Sequence, residues 1–318
     1  MVALPTLKEV ARELLRVNMA LEKGETLLVV TDTETAAIGE AIFQAGVESG
    51  AVASIIKMPP TARPGAEPPL PVAAAMEKAR VVICPTRNSL THTRARIQAC
   101  QAGARVATMP GISEDMFFAG AVAANYDEVA RLSTELARRL STAQTALLVK
   151  DGLKLRLSLA GRQGVASTGL YRHPGEAGNL PSGEAYIAPL EGRAEGETII
   201  DGSVAGMGRL RGPIKVTIRG GRLAAVEGPE GEELLKLLGD DPAARNLAEL
   251  GIGTNEKARV TGNILEDEKV YGTVHLAFGD NTTFGGETRA GVHIDGVITA
   301  PDLYLDGELV LSGGKIIL

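Results

Sequence analysis

TLLVVTDTETAAIGEAIFQAGVES (Thr26–Ser49) decides how the first half of the chain is read. Thr26 to Asp32 form an apolar run ending on an acid, the pattern of a strand buried on both faces. From Ala36 to Ser49 small and apolar residues return at helical spacing, which predicts a helix. The order then repeats. AVASIIKM leads into the proline-rich loop MPPTARPGAEPPLP, and after it come VAAAMEKA, RVVICPT, SLTHTRARIQACQAG and ARVATMPG, read as helix, strand, helix and strand. Upstream, Thr6 and Glu9 have capping-box spacing ahead of Leu7, Val10, Ala11, Leu14 and Leu15, so an amphipathic helix opens the chain and Gly24 closes it. Downstream, one long helical segment is expected from Ile112 to Thr142. Strands alternating with helices imply right-handed crossovers, hence a Rossmann-like α/β domain over residues 1–143 with a parallel sheet and helices on both faces.

Parallel sheets of this kind bind ligands at the carboxyl ends of their strands. The loops after Asp32, Met58, Thr86 and Met109 are therefore candidate cleft walls, and His92 in SLTHT lies just beyond the third strand. TDTETAAIGEA stands where a glycine-rich dinucleotide fingerprint would follow the first strand, and no Walker-type loop occurs, so a nucleotide site is disfavoured.

After about Ala143 the texture changes to short alternating stretches rich in glycine. TALLVKDGLKLRLSL reads as a hairpin turning at Asp151 and Gly152, and IKVTIRGGRLAAVEG as another turning at Gly220 and Gly221. EGEELLKLLG supplies a helix, and DLYLDGELVLSGGKIIL adds two further turns. Residues 144–318 are expected to form a strand-rich α+β domain that carries the metal site.

Composition narrows the function. A chain of 318 residues favours two domains, and a net charge of -6 with aromatics at 3% and no tryptophan argues against nucleic acid as a partner. Cys84 and Cys100 read as small core residues in a reducing compartment. The N-terminal MVALPTLKEVARELL lacks the apolar core of a signal peptide, and no run approaches the roughly 20 apolar residues of a membrane span, so a cytoplasmic location without membrane association is expected.

The chemistry concentrates in NLAELGIGTNEKARVTGNILEDEKVYGTVHLAFGDNTTFGGETRAGVHID (Asn246–Asp295), which holds two of the four histidines, His275 and His293. In a strand, residues i and i+2 share a face, so His293 and Asp295 can aim at one point. Glu249 is flanked by Leu247, Leu250 and Ile252, and a carboxylate in apolar surroundings needs a partner such as a metal. Glu184 follows a Pro-Ser-Gly turn in GNLPSGEAYIAP and reads equally as a solvated strand-edge charge; His173 in YRHPGE reads as structural. Three carboxylates and two imidazoles suit zinc, manganese, cobalt or ferrous iron. Five donors exceed the needs of one catalytic ion with an open position; two ions roughly 3.5–4 Å apart would use them all.

NLPSGE, AELGIGTN, GTVHLAFGD and the His293-Ile294-Asp295 pair, in that order, resemble the thermophilic metallo-aminopeptidase family that includes aminopeptidases T and S, and the likeness spans most of the chain. The resemblance implies a homodimeric, dinuclear metalloprotease with Zn, Co or Mn held by Glu184, Glu249, His275, His293 and Asp295, acting on short-peptide substrates. Two features depart from that family. HLAFGDNTTFGG offers no tyrosine where those peptidases carry a catalytic one, and the interval between His275 and His293 is compressed in a shorter chain. The sequence is also similar to 2,5-dihydroxypyridine 5,6-dioxygenases, and its length and SLTHT segment fit these better. That resemblance implies one Fe(II) held by His275, His293 and Asp295, with His92 as a substrate-side acid/base and an aromatic small molecule as substrate. A homologue that binds metal without catalysis is the third expectation.

Overall fold

The computed structural model describes residues 6–318. Thr6 and Glu9 form the expected capping box at the start of α1 (Leu7–Glu13), and a π-helical turn, Leu14–Asn18, extends it. Four parallel strands follow, β1 (Thr26–Asp32), β2 (Val52–Met58), β3 (Val81–Thr86) and β4 (Arg105–Pro110), separated by α2 (Ala36–Glu48), α3 (Leu70–Lys78) and α4 (Arg94–Gln101). Both faces are covered. Leu28, Val30, Val82, Cys84 and Val106 pack under Val72, Met76, Ala95 and Ala99 of α3 and α4, whereas Gly39 and Gly46 of α2 lie against Thr31 and Leu27 on the opposite face. The carboxyl end of β1 is held by Asp32, whose Oδ1 accepts from Glu34 N and Thr35 N at 3.0 and 3.1 Å and whose Oδ2 accepts from Arg87 N at 2.6 Å.

The segment expected as one helix from Ile112 to Thr142 is broken. α5 (Glu114–Phe118) is capped by Ser113, a 3-10 turn covers Ala121–Ala123, and α6 (Tyr126–Thr142) starts afresh. Gly120, between Phe118 and Ala121, is extended with φ -104° and ψ -156°, so helical hydrogen bonding cannot run through it.

Beyond α6 the strands are β5 (Thr145–Lys150), β6 (Leu153–Ser158), β7 (Val165–Ser167), β8 (Ala177–Asn179), β9 (Glu184–Ile187), β10 (Ala194–Ile200), β11 (Ser203–Val204), β12 (Gly208–Arg209), β13 (Ile214–Arg219) and β14 (Arg222–Glu227). The helix α7 (Gly231–Leu238) precedes β15 (Leu247–Gly253), and the one-turn α8 (Ile264–Asp267) precedes β16 (Val274–Gly279). β17 (His293–Ile298), β18 (Asp302–Leu305), β19 (Glu308–Ser312) and β20 (Lys315–Ile316) finish the chain. The expected hairpins at Asp151–Gly152 and Gly220–Gly221 are β5–β6 and β13–β14.

Two compact units result: Met1–Tyr126 with Gly169–Ser182, and Asp127–Thr168 with Gly183–Leu318. Residue 143 falls inside the second, just past α6. The first unit is a five-stranded parallel sheet in the order β2-β1-β3-β4-β8, whose last strand arrives from the later part of the chain. The second contains an eight-stranded sheet, β14-β13-β10-β6-β5-β18-β19-β20, and a seven-stranded sheet, β12-β11-β17-β16-β15-β9-β7. Both give one face to a shared core: Leu148, Leu155 and Val216 come from the larger sheet, and Leu250, Ile252, Leu276 and Phe278 from the smaller. Among the described residues no helix is long and apolar enough to cross a membrane.

Candidate metal centre

Period-two alternation in the seven-stranded sheet separates core from chemistry. Ala185 and Ile187 of β9, Leu250 and Ile252 of β15, Val274, Leu276 and Phe278 of β16 and Ile298 of β17 join the core. Their strand neighbours Glu184, Tyr186, Glu249, Gly251, His275, Asp295 and His293 therefore take the other face. A register irregularity between Leu247 and Glu249 matters here. Leu247 belongs to the core, so strict alternation would bury Glu249 with it; the bulge shifts the phase and re-aims the carboxylate. Glu249, Ala277 and Asp295 then stand in one cross-strand row and Tyr186, Gly251 and His275 in the next.

All five residues expected as ligands meet on this face. Glu249 joins the two histidines, with Oε1 3.1 Å from His275 Nε2 and Oε2 3.4 Å from His293 Nε2. His293 Nε2 is also 3.4 Å from Asp295 Oδ1. Glu249, His293 and Asp295 offer one donor atom each, all within 4.8 Å of one another. His275, 0% exposed, reaches Glu184 Oε2 at 3.5 Å. His293 Nδ1 lies 2.7 Å from the carbonyl of Asp280, which accepts its proton and turns Nε2 toward the carboxylates.

Glu184 has a second partner that the sequence reading overlooked. Lys269, 1% exposed, places Nζ 2.6 Å from Glu184 Oε1 and donates as well to Glu268. Burial on its own would lower the ammonium pKa, but the two carboxylates raise it, so Lys269 is charged. Burial lifts Glu268 to about 8 against the pull of Lys269. Burial would also raise Glu249, yet its bonds to His275 and His293 outweigh this and hold it near 2. Against the lowering by burial, Glu249 and Glu184 bring His275 up to about 9, and Asp295 together with Glu249 raises His293 well above the usual imidazole range. Three carboxylates and the protonated Glu268 thus stand beside one fixed cation and two protonated imidazoles. A divalent ion displacing those two protons fits the donor set.

Tyr186 is the other residue missed. It lies two positions after Glu184, so the rule that paired His293 with Asp295 places it on the same face. Its ring packs edge-on against Phe284 at 5.4 Å, and Phe284 packs edge-on against His293 at 5.9 Å. Burial, then the charges of Glu184 and Glu249, raise its pKa and keep the phenol protonated. His92 lies in the first unit, exposed in the turn before α4, and His173 is exposed in a loop of that unit.

A parallel α/β unit and an antiparallel, two-sheet unit that gathers His, Glu and Asp donors on one face make up the architecture of a metalloenzyme. The chain belongs to the family described as 2,5-dihydroxypyridine 5,6-dioxygenase (NicX), whose model matches residues 6–318. A curated 2,5-dihydroxypyridine 5,6-dioxygenase of Pseudomonas putida KT2440 is 27% identical over 204 residues, which are 57% of this chain and 58% of that protein. The structure of 2,5-dihydroxypyridine dioxygenase from the same organism superposes with a TM-score of 0.81 at 21% identity, covering 98% of this chain and 96% of that one. Wild-type AmpT from Thermus thermophilus superposes with a TM-score of 0.73 at 19% identity over 98% and 99% of the two chains. The likeness to the dioxygenases read from the motifs holds, and that to aminopeptidase T holds at the level of the fold.

Proposed function

We propose that this protein binds one divalent metal ion through Glu249, His293 and Asp295, with His275 as the adjoining imidazole, and opens the ring of a hydroxylated aromatic N-heterocycle using O₂. The observation that carries the reading is Lys269 on Glu184. An ammonium 2.6 Å from the fifth expected donor supplies the charge that a second ion would otherwise bring. The donor set that remains, two imidazoles and two carboxylates, suits Fe(II). Family membership across residues 6–318 supports the reaction class. When bound, the metal would supply electrons to O₂ and a Lewis-acid contact to a ring hydroxyl.

The chain's own groups have separate tasks. Asp280 fixes the His293 tautomer, and Glu249 orients both imidazoles. Tyr186 offers a protonated phenol beside the donors. Phe284, backed by Tyr186, lays an apolar edge against the His293 ring. Tyr186 also supports a second reading, the two-metal aminopeptidase, because it brings a phenol to the face from another strand. The two separate by assay: oxygen uptake with 2,5-dihydroxypyridine and Fe(II) supports the first, and release of p-nitroaniline from leucyl-p-nitroanilide under Zn²⁺, Co²⁺ or Mn²⁺ supports the second.

A further inference from the structure

Arg162 lies outside the proposed ligand set, yet it closes the loop that orients one of the ligands. It follows β6 and is 8% exposed. Its guanidinium donates to the carbonyl of Gly285 and, through Nη2, to Glu191 Oε2. The other oxygen of Glu191 accepts from Asn281 Nδ2 at 2.9 Å and from Glu287 N at 2.8 Å. Asn281 is 0% exposed, and its Oδ1 accepts from Thr288 N at 2.9 Å. Its backbone carbonyl accepts from Gly286 N at 2.9 Å. A Cβ on Gly286 would sit 1.9 Å from Asn281 Cγ, so the turn closes tightly over the buried amide. The residue before Asn281 is Asp280, whose carbonyl holds His293 Nδ1, and Phe284, in the same loop, packs on the His293 ring.

We propose that Arg162 and Glu191 are positioning residues for His293, acting through the loop between β16 and β17. The proposal rests on the reading of His293 as a metal ligand. The planar guanidinium fork satisfies two acceptors, one on the loop and one on Glu191, at fixed geometry. Glu191, so neutralised, fixes Asn281, and Asn281 fixes the carbonyl that selects the imidazole tautomer. Outer-shell partners of this kind typically contribute about 10- to 100-fold to metal affinity.

The test is a Co(II) titration of the full chain after metal removal, following the visible d–d band and the affinity. Arg162→Met is expected to weaken Co(II) binding about tenfold or more and to change the band, because the imidazole no longer meets the ion at its former angle. Arg162→Lys, which keeps the charge without the fork, is expected to fall between. Glu191→Gln retains an acceptor for Asn281 but loses the ionic link, and is expected to weaken binding several-fold. Arg131→Met, at the exposed Arg131–Glu128 pair of α6, is the control and should leave both readouts unchanged. Wild-type affinity and band in Arg162→Lys and Glu191→Gln, which serve also if Arg162→Met does not fold, would overturn the proposal. Two equivalents bound by the wild type would contradict the one-metal reading yet leave this comparison of variants valid, whereas no Co(II) binding at all would overturn the ligand assignment beneath it.

Discussion

Gly251 and His275 stand opposite each other on β15 and β16, and the glycine makes room for the imidazole: a Cβ on Gly251 would lie 1.9 Å from His275 Nε2. The clash falls on the ring itself, with Cε1 at 2.2 Å and Cδ2 at 2.7 Å, so the imidazole would have to leave its position between Glu249 and Glu184. Gly251→Ala is therefore expected to weaken metal binding at least tenfold while the rest of the sheet stays folded. Metal titration alongside circular dichroism checks this; unchanged affinity would mean that His275 is not needed where it stands.

Metal-free protein should show a stability maximum on the acid side of neutrality. Glu249 is lowered from 4.5 to about 2, so its contribution is complete above pH 4.5 and is lost as pH falls through 2. His275 is raised from 6.5 to about 9, so its contribution is complete below pH 6.5 and is lost as pH rises through 9. The melting temperature of the chelator-treated protein should fall between pH 6.5 and 9. Metal affinity should rise over the same interval, because the ion competes with protons on the imidazoles. A melting temperature that climbs with pH in metal-free protein would contradict the His–Glu pairing.

Much of this was legible in the sequence, for reasons particular to each residue. The apolar run of β1 and the turns at Asp151–Gly152 and Gly220–Gly221 are local signals, and the structure has them where the pattern put them. His293 and Asp295 follow from strand periodicity alone. Glu249 was detectable from its apolar neighbours, but not the bulge that aims it, since an added residue leaves no compositional mark. Lys269 escaped because in the charged run LEDEK a lysine reads as solvated, and only tertiary burial against Glu184 shows otherwise. The break between α5 and α6 escaped because its flanks keep helical periodicity.

Lys269→Met should expose the role assigned to that ammonium. Removing one partner of a buried ion pair typically costs about 3–5 kcal/mol, so the metal-free melting temperature should drop. With Glu184 released, bound metal should rise from one toward two per chain. A variant that melts like wild type and still binds one ion would show that Lys269 does not set the count.

Tyr186→Phe should separate metal binding from proton donation. The ring and its packing on Phe284 remain, so metal content is expected to stay at the wild-type level. Turnover is expected to fall on the order of 10²-fold if the phenol donates a proton during the reaction. Equal turnover in the two proteins would remove Tyr186 from the chemistry.

The most direct measurement of the central claim is the number of metal ions per chain in protein loaded anaerobically with Fe(II) and freed of excess ion. The proposal expects one, lost in both Glu249→Ala and His293→Ala. Two ions per chain in the wild type, or one ion retained in both variants, would contradict it.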